Sequence, residues 1–206
     1  EAVLNRYKDD ERVSVVTGHN FQNGIIRGEA SYYFSKYNHV WGWASWRRAW
    51  RCYQADLPFW PEWSQSVDWI EKMADPVERH YWSRIFQRVH AGKIDSWAYP
   101  WTASLWYNGG LTATPNVNLV SNIGFGPDST HTAAVDSPLS AVSTKTIGEL
   151  RHPGEIERDV QADRYTFKQA IGGKHTRLPA RLLAHTMRIL RRLESVLVKH
   201  NQKKKS

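Results

Sequence analysis

The chain is poor in cysteine and has no long apolar run. A single cysteine, Cys52, among 206 residues excludes an internal disulfide framework and is typical of a reducing compartment. No stretch of the sequence approaches the roughly 20 apolar residues that a membrane-spanning helix requires, and no secretory signal pattern opens the chain. We therefore expect a cytoplasmic protein, with the inner face of the cell membrane as the alternative location.

The basic residues are unevenly distributed. Residues 1–173 hold 18 Lys and Arg against 19 Asp and Glu, a net charge of −1, whereas residues 174–206 hold ten basic residues against Glu194, a net charge of +9. A nucleic-acid-binding domain normally carries a basic face on its folded body, so no nucleic-acid partner is expected. The charge instead predicts a domain over residues 1–173 and a basic tail over residues 174–206.

The basic tail has helical periodicity between residues 179 and 199. Its apolar positions recur at the spacing of one helix face; they are Leu182, Leu183, Met187, Leu190, Leu193 and Leu197. This pattern is typical of an amphipathic helix on an anionic membrane surface, here through residues 179–205. Each basic residue near such a surface contributes about 1 kcal/mol. Alternatively, the leucines pack on the domain and the charges are merely solvated.

The sequence is rich in tryptophan within one part of the chain. All 11 tryptophans lie between Trp41 and Trp106, and the densest run is Trp41-Gly-Trp-Ala-Ser-Trp46-Arg-Arg-Ala-Trp50. Aliphatic residues would fill a core helix without an indole N–H that needs a partner. A sugar, with C–H groups on one face and hydroxyls at its rim, suits an exposed indole. We therefore expect Trp41, Trp43 and Trp46 to form an acceptor wall with Arg47; the alternative is an aromatic core.

Hydrophobic periodicity and turn residues predict alternating helices and strands, hence an α/β fold. Strands are predicted at Val13–Val16, Ser31–Phe34 and Leu111–Thr114, and helices over residues 1–8, 44–53, 62–73, 76–91, 98–107 and 163–170. The helix after Asp75-Pro76 has the clearest boundaries. Asp75 is a favourable N-cap, Pro76 suits a first turn, and Gly92 closes the helix.

A second candidate site lies in Ile94-Asp-Ser-Trp-Ala-Tyr-Pro-Trp101. An inverting transferase needs a carboxylate that takes the proton of the acceptor hydroxyl, and Asp95 has the required chemistry. Trp97 and Tyr99 would extend the acceptor surface beside it. The alternative role of Asp95 is to cap the helix that follows.

Two long strings resemble a known bacterial group. They are Tyr32-Tyr-Phe-Ser-Lys-Tyr-Asn-His-Val-Trp-Gly-Trp-Ala-Ser-Trp-Arg-Arg-Ala-Trp50 and Pro115-Asn-Val-Asn-Leu-Val-Ser-Asn-Ile-Gly-Phe-Gly126, with Thr130-His-Thr132 just after. They are similar to the nucleotide-diphospho-sugar glycosyltransferases labelled hemolytic-protein HlpA-like, over residues 1 to about 170. The resemblance implies a GT-A, Rossmann-like fold that transfers a sugar from a nucleotide-diphosphate sugar to a glycan or other hydroxyl acceptor.

The resemblance also implies donor-side residues. Asn122, Gly124 and Gly126 would bring backbone N–H groups close to the diphosphate, and His131 would be a ligand of its Mn²⁺ or Mg²⁺. The Asp-x-Asp metal motif of GT-A enzymes is absent from the sequence, and Ala98 stands where relatives place a second Asp.

We therefore expect the C-terminal, acceptor-side part of such an enzyme, inactive alone and binding no metal tightly. Two other functions stay open. One is a non-catalytic carbohydrate-binding module that uses the same aromatic wall; the other is a peripheral membrane interaction protein that depends on the basic tail.

Overall fold

A mixed sheet of four strands organises the computed structural model, which describes residues 1–121 and 142–172. The strands are β1 (Val13–Thr17), β2 (Tyr32–Ser35), β3 (Trp43–Ser45) and β4 (Leu111–Pro115), in the order β2-β4-β1-β3. β4 runs parallel to β1, while β3 pairs antiparallel with β1 and β2 pairs antiparallel with β4. The predicted α/β class is confirmed.

β1 occupies an interior position because its sequence is rich in β-branched residues, which pack well on a pleated sheet. Val13 and Val15 are fully buried. Small neighbours allow close pairing on both sides, since Val16 lies opposite Ala113 of β4 and Ala44 of β3.

The outer edge of β2 is covered by the segment that precedes the last described helix. The N–H of Asp159 donates to the carbonyl of Phe34 at 2.8 Å, and Arg158 forms an isolated bridge with Phe34. This coverage removes one exposed sheet edge.

The helices surround this sheet. They are α1 (Ala2–Arg6), α2 (Arg47–Trp50), α3 (Trp60–Trp63), α4 (Val67–Lys72), α5 (Pro76–His90), α6 (Ala98–Tyr107) and α7 (Val160–Gln169). The predicted boundaries of α5 are confirmed: the Asp75 carboxylate accepts from the Val77 N–H at 2.8 Å, and Gly92 follows the helix with φ +65°.

Two predicted helices are wrong in extent. Residues 44–53 form β3 and then the single turn α2, because β3 pairs with β1 and Trp46 stays extended at φ −109° and ψ 154°. Residues 62–73 divide into α3 and α4, since the Ser66 hydroxyl accepts from the Trp69 N–H at 3.1 Å and begins a new helix.

The main core lies between the sheet and helices α3 to α6, and tryptophan builds much of it. Six of the 11 tryptophans are buried; they are Trp60, Trp63, Trp69, Trp82, Trp101 and Trp106. None of these six belongs to the run Trp41–Trp50 for which the aromatic-core alternative was raised; in that run Trp41, Trp43 and Trp46 are partly buried and Trp50 is exposed. A second, smaller core contains Tyr7, Tyr32 and Phe34.

One buried ion pair joins the β2 end to α5, and a second, partly buried pair lies at the start of α7, where the Ser35 hydroxyl of β2 also donates to Asp163 at 2.6 Å. Lys36 lies 2.8 Å from Glu78, with side chains only 5% and 6% exposed, and Arg158 lies 2.5 Å from Asp163, which is 1% exposed. Burial lowers the pKa of Lys36 and raises the pKa of Asp163, and the opposite charges counteract both shifts. The pairing fixes the helices relative to the sheet.

Within the described ranges, no helix combines the length and apolar character needed to cross a membrane. The predicted amphipathic helix over residues 179–199 lies outside the described residues.

Candidate functional site

Three tryptophans meet at the surface where β3, α2 and the start of α6 come together. We call Trp43, Trp50 and Trp97 the indole platform. The Trp43 and Trp97 rings are nearly parallel, with centroids 5.6 Å apart and 19° between their planes, and Trp50 lies 6.5 Å from Trp97. Trp97 is 46% exposed and Trp50 is 43% exposed. Two adjoining tryptophans that are nearly half exposed make this surface the candidate binding site.

Buried rings support the indole platform from below. Trp101 is fully buried and lies 4.6 Å from Trp50 and 6.1 Å from Trp43, centroid to centroid. Tyr53 stacks on Trp50 at 5.0 Å with only 1° between the planes. Because these contacts fix the exposed rings before any ligand arrives, binding would cost little ordering entropy.

Asp95 lies two residues before Trp97 and its side chain is exposed. The N-cap position of α6 is Trp97, and the Ala98 N–H bonds to the Ser96 hydroxyl at 3.3 Å. The capping alternative for Asp95 is therefore wrong. Asp95 is exposed on the segment that leads into α6, close in sequence to the platform residue Trp97.

The tryptophans predicted as one wall lie in three environments, so that prediction needs correction. Only Trp43 belongs to the indole platform. Trp41 packs beside His19, with ring centroids 4.7 Å apart. Trp46 packs against the second core, with the guanidinium of Arg48 4.5 Å from its ring centroid. Trp43 and Trp46 are three residues apart in extended backbone, so their side chains point to opposite faces of the sheet. Trp41 lies before β3, separated from Trp43 by Gly42 at φ +56°.

The remaining predicted acceptor residues differ in exposure. Arg47 begins α2 and is exposed close in sequence to Trp50. Tyr99 is partly buried and lies 6.3 Å from the Trp82 ring, at the margin of the main core. Of the predicted acceptor residues, Trp43 and Trp97 therefore lie together in the indole platform, and Asp95 is exposed two residues before Trp97.

Two histidines lie beyond the carboxyl end of β1, where α/β sheets commonly bind ligands. Their ring centroids are 6.3 Å apart, and Phe21 contacts both rings. Both nitrogens of His19 and the Nε2 atom of His39 are buried without a hydrogen-bond partner among the described residues. Burial lowers the pKa of His19 to about 4 and that of His39 to about 3, so both rings are neutral at pH 7.

A tight backbone contact closes the same end of β1. The N–H of Leu119 donates to the Gly18 carbonyl at 2.8 Å, and the Gly18 N–H donates to the Gly42 carbonyl at 2.8 Å. A Cβ atom on Gly42 would clash with the Val120 Cγ1 atom. Position 42 therefore requires glycine, because residues 117–120 cross the carboxyl end of β1 there.

The predicted donor and metal residues follow residue 121 in the sequence. Asn122, Gly124, Gly126 and His131 fall outside the described residues. Among residues 1–121 and 142–172, no group of three or more His, Cys, Asp and Glu side chains is arranged to hold a metal ion. The Mn²⁺ or Mg²⁺ prediction therefore stays a prediction.

No protein-family model, curated protein or solved structure significantly matches this chain. Function is therefore argued from the site itself. Sequence reasoning identified Trp43, Trp97 and Asp95, but it missed His19 and His39. Their position after the ends of predicted strands was the available signal.

Proposed function

We propose that this chain serves glycosyl transfer, in which it binds the glycan or other hydroxyl acceptor of a hexose supplied by a nucleotide-diphosphate sugar. The observation that carries the proposal is the indole platform. Trp97 and Trp50 expose nearly half of their surface while stacked neighbours hold them in place. Such rings offer a flat apolar face for sugar C–H groups, and their N–H groups can bond to rim hydroxyls.

The sheet supports the proposal at the level of fold. β1 and β4 are parallel neighbours, and ligands of α/β sheets bind beyond the carboxyl ends of such strands. His19 follows β1 at this edge, and residues 117–120 cross it. We propose a GT-A-like arrangement, with the nucleotide sugar beyond this edge and the acceptor on the indole platform.

The proposed reaction uses Asp95 as the base. The acceptor hydroxyl oxygen forms a bond to the anomeric carbon of the donor sugar while the bond from that carbon to the diphosphate oxygen breaks. The Asp95 carboxylate takes the hydroxyl proton, and the nucleoside diphosphate leaves with the bonding electron pair. A divalent cation would neutralise the leaving diphosphate, with His131 as its proposed ligand and Asn122, Gly124 and Gly126 around the phosphates.

A glycan array probed with the chain and with Trp97→Ala tests acceptor binding. We expect binding by the parent chain and its loss in the variant, because the variant removes the most exposed ring of the platform. Retained binding by Trp97→Ala would contradict the proposed site.

Release of nucleoside diphosphate tests the chemistry. Array-positive glycans are mixed with UDP- or GDP-sugars and Mn²⁺, and Asp95→Asn serves as the matched variant. Glycan-dependent release that Asp95→Asn abolishes supports the transferase. Such release would contradict the inactivity expected of this chain alone, whereas glycan binding without release agrees with that expectation and is equally what a carbohydrate-binding module would give.

The basic tail is tested separately. Co-sedimentation with anionic vesicles would compare the full chain with a version ending at Gly173. Equal binding by both versions would exclude the tail as a membrane anchor, and loss in the shorter version would support it.

A further inference from the structure

A cavity of about 220 Å³ lies where the end of α4, the turn between α6 and β4, and the segment before α7 meet. We call it the lysine cavity. Its lining residues are Lys36, Lys72, Met73, Trp106, Gly109, Gly110, Leu111 and Arg158. Leu111 is the first residue of β4, so the cavity lies at the amino end of that strand. The proposed donor site lies beyond the opposite, carboxyl end, and the lysine cavity is therefore separate from it.

The charged side chains that line the lysine cavity all have the same sign. Lys36, Lys72 and Arg158 are basic, and among the described residues no acidic side chain lines the cavity. Each basic group is paired with a carboxylate outside the lining; the partners are Glu78 for Lys36, Asp68 for Lys72 and Asp163 for Arg158. These carboxylates balance the charge of the cluster, but the wall that a ligand would meet is basic. Such a wall favours an anion.

Lys36 forms the buried part of this wall, and its ammonium group has few strong acceptors. Its side chain is 5% exposed, and the Nζ atom lies 2.8 Å from a Glu78 carboxylate oxygen. The other polar contact is with the Met73 Sδ atom at 3.1 Å, and the Trp106 and Tyr37 ring centroids lie 5.2 and 5.3 Å away. An ammonium carries three donors, and a thioether is a weak acceptor. A single oxygen acceptor among the described residues leaves this buried charge incompletely satisfied, which is costly.

The other two cations are closer to solvent and also retain donors. The side chain of Arg158 is 25% exposed and that of Lys72 is 27% exposed. Arg158 donates through Nε to Asp163 and through Nη1 to the Lys72 carbonyl at 3.3 Å, while its Nη2 group donates to no described residue. The Lys72 ammonium donates to Asp68 at 2.8 Å with one of its three N–H groups. These exposures indicate that Arg158 and Lys72 stand toward the opening of the cavity and Lys36 at its inner wall.

The remaining lining distinguishes a carboxylate from a phosphate as the anion. Phosphate sites typically offer several free backbone N–H groups, but the Gly109 N–H bonds to the Trp106 carbonyl and the Gly110 N–H bonds to the Leu105 carbonyl. Met73 and Trp106 add apolar side chains, which a hydrated phosphate would not use. The volume is below the 300 Å³ or so at which pockets for drug-sized ligands begin. A small acid with an apolar body uses both the basic groups and the apolar walls.

We propose that the lysine cavity binds a small carboxylic acid, whose carboxylate is held by Lys36, Lys72 and Arg158 and whose apolar body packs against Met73 and Trp106. The inference goes beyond the proposed glycosyl transfer and does not depend on it. Because the cavity is shared by α4, the α6–β4 turn and the segment before α7, the bound acid would connect all three and stabilise the folded chain.

Calorimetric titration of the full chain with four probes tests the site. Benzoate combines a carboxylate with a flat apolar body, benzamide has the same body without the charge, and acetate and inorganic phosphate supply a charge without the body. We expect saturable binding of benzoate and no measurable binding of benzamide. Acetate should bind at least about tenfold more weakly than benzoate, because it lacks the ring that packs against the apolar walls. Phosphate should bind more weakly than benzoate as well.

Three variants locate the bound benzoate. Lys72→Met removes a partly exposed charge and should weaken benzoate about fivefold, the loss of one charged contact near solvent. Lys168→Met is the matched control, since this exposed lysine of α7 does not line the cavity, and it should change nothing. Glu78→Gln removes the carboxylate that competes for Lys36, so benzoate should bind more tightly. Thermal unfolding should show that Glu78→Gln is destabilised without benzoate and is stabilised by benzoate more than the parent chain is.

Several results would overturn the proposal. They are the absence of saturable benzoate binding, equal affinity for benzoate and benzamide, and phosphate binding that is tighter than benzoate binding. Benzoate affinity that is unchanged in Lys72→Met, or that does not rise in Glu78→Gln, overturns it too, because the ligand would then lie elsewhere or Lys36 would serve only in its ion pair. Each of these results leaves the test of glycan binding at the indole platform unaffected.

Discussion

The buried and the exposed tryptophans of this chain differ in how their indole N–H groups are used. In the core, Trp60 donates to Gln87 at 3.2 Å, and Trp106 donates to the Lys36 carbonyl at 2.6 Å. On the surface, Trp50 and Trp97 present ring faces to solvent. Five of the six buried indoles donate to partners within the protein, and Trp101 is the exception, whereas the platform leaves its surface for a ligand. A high tryptophan content does not by itself indicate a binding site. Exposed rings that are held in place by packed neighbours do.

Trp101 connects the two groups. It is fully buried, and its Nε1 atom has no hydrogen-bond partner among the described residues. An unsatisfied buried donor is costly and requires a reason. Here the ring supports Trp43 and Trp50 from below, which links the stability of the core to the shape of the surface.

The largest expected effect is the loss of folding stability when a buried tryptophan is removed. Trp106→Ala should lower the free energy of unfolding by about 3–5 kcal/mol, the usual cost of removing a buried tryptophan. Trp97→Ala, the matched surface variant, should cost less than about 1 kcal/mol. Urea denaturation measures both. Equal losses in the two variants would remove the distinction between core and platform.

Acid should destabilise the folded protein through the histidine pair, His19 and His39. This test extends the comparison of buried and exposed tryptophans to buried polar groups that lack hydrogen-bond partners among the described residues. Folded-state pKa values of about 4 for His19 and about 3 for His39 lie below the usual 6.5. The unfolded chain therefore takes up protons first as the pH falls below 6.5. Stability should be fully present above that pH and decline toward pH 4. The His19 shift corresponds to about 3 kcal/mol.

Denaturation at several pH values, with His19→Phe as the comparison, measures this effect. The variant lacks one titrating ring, so its stability should fall less steeply between about pH 6.5 and 4. Identical pH profiles for the two proteins would contradict the buried, neutral state of His19.

A smaller effect is expected at Gly42, which lies between Trp41 and Trp43. Gly42→Ala requires a side chain at φ +56° and places its Cβ against Val120. Gly92→Ala is the matched control, because φ is +65° but no atom lies within 4 Å of the added Cβ. The control should cost about 1 kcal/mol for backbone strain alone, and Gly42→Ala should cost more. Equal costs would show that Val120 moves aside freely.

The sequence predicted those elements whose local signals agree with their packing. β1 and β4 contain β-branched residues, and α5 begins at Asp75-Pro76. These three elements can therefore be predicted from the sequence without information about distant residues. β3 was missed because its three residues become a strand only by pairing with β1. Ser66 was missed as an N-cap because the predicted helix ran through it.

The candidate site was predictable only in part. Trp97 and Asp95 were identified from residue chemistry. Trp50 was not assigned to the site, because the exposure of a ring depends on which segments pack around it. The position of each histidine after a predicted strand was a signal, but their pairing was not predictable, since His19 and His39 become neighbours only when the chain after β1 meets the chain after β2.

Glycan binding by Trp97→Ala tests the central claim most directly, because that ring is exposed and contributes little to the core. Calorimetry with an array-positive glycan should show at least about a fivefold loss of affinity relative to the parent chain, for an interaction of about 1 kcal/mol, with the unfolding transition nearly unchanged. Unchanged affinity in a folded Trp97→Ala protein would contradict the claim that the indole platform binds sugar.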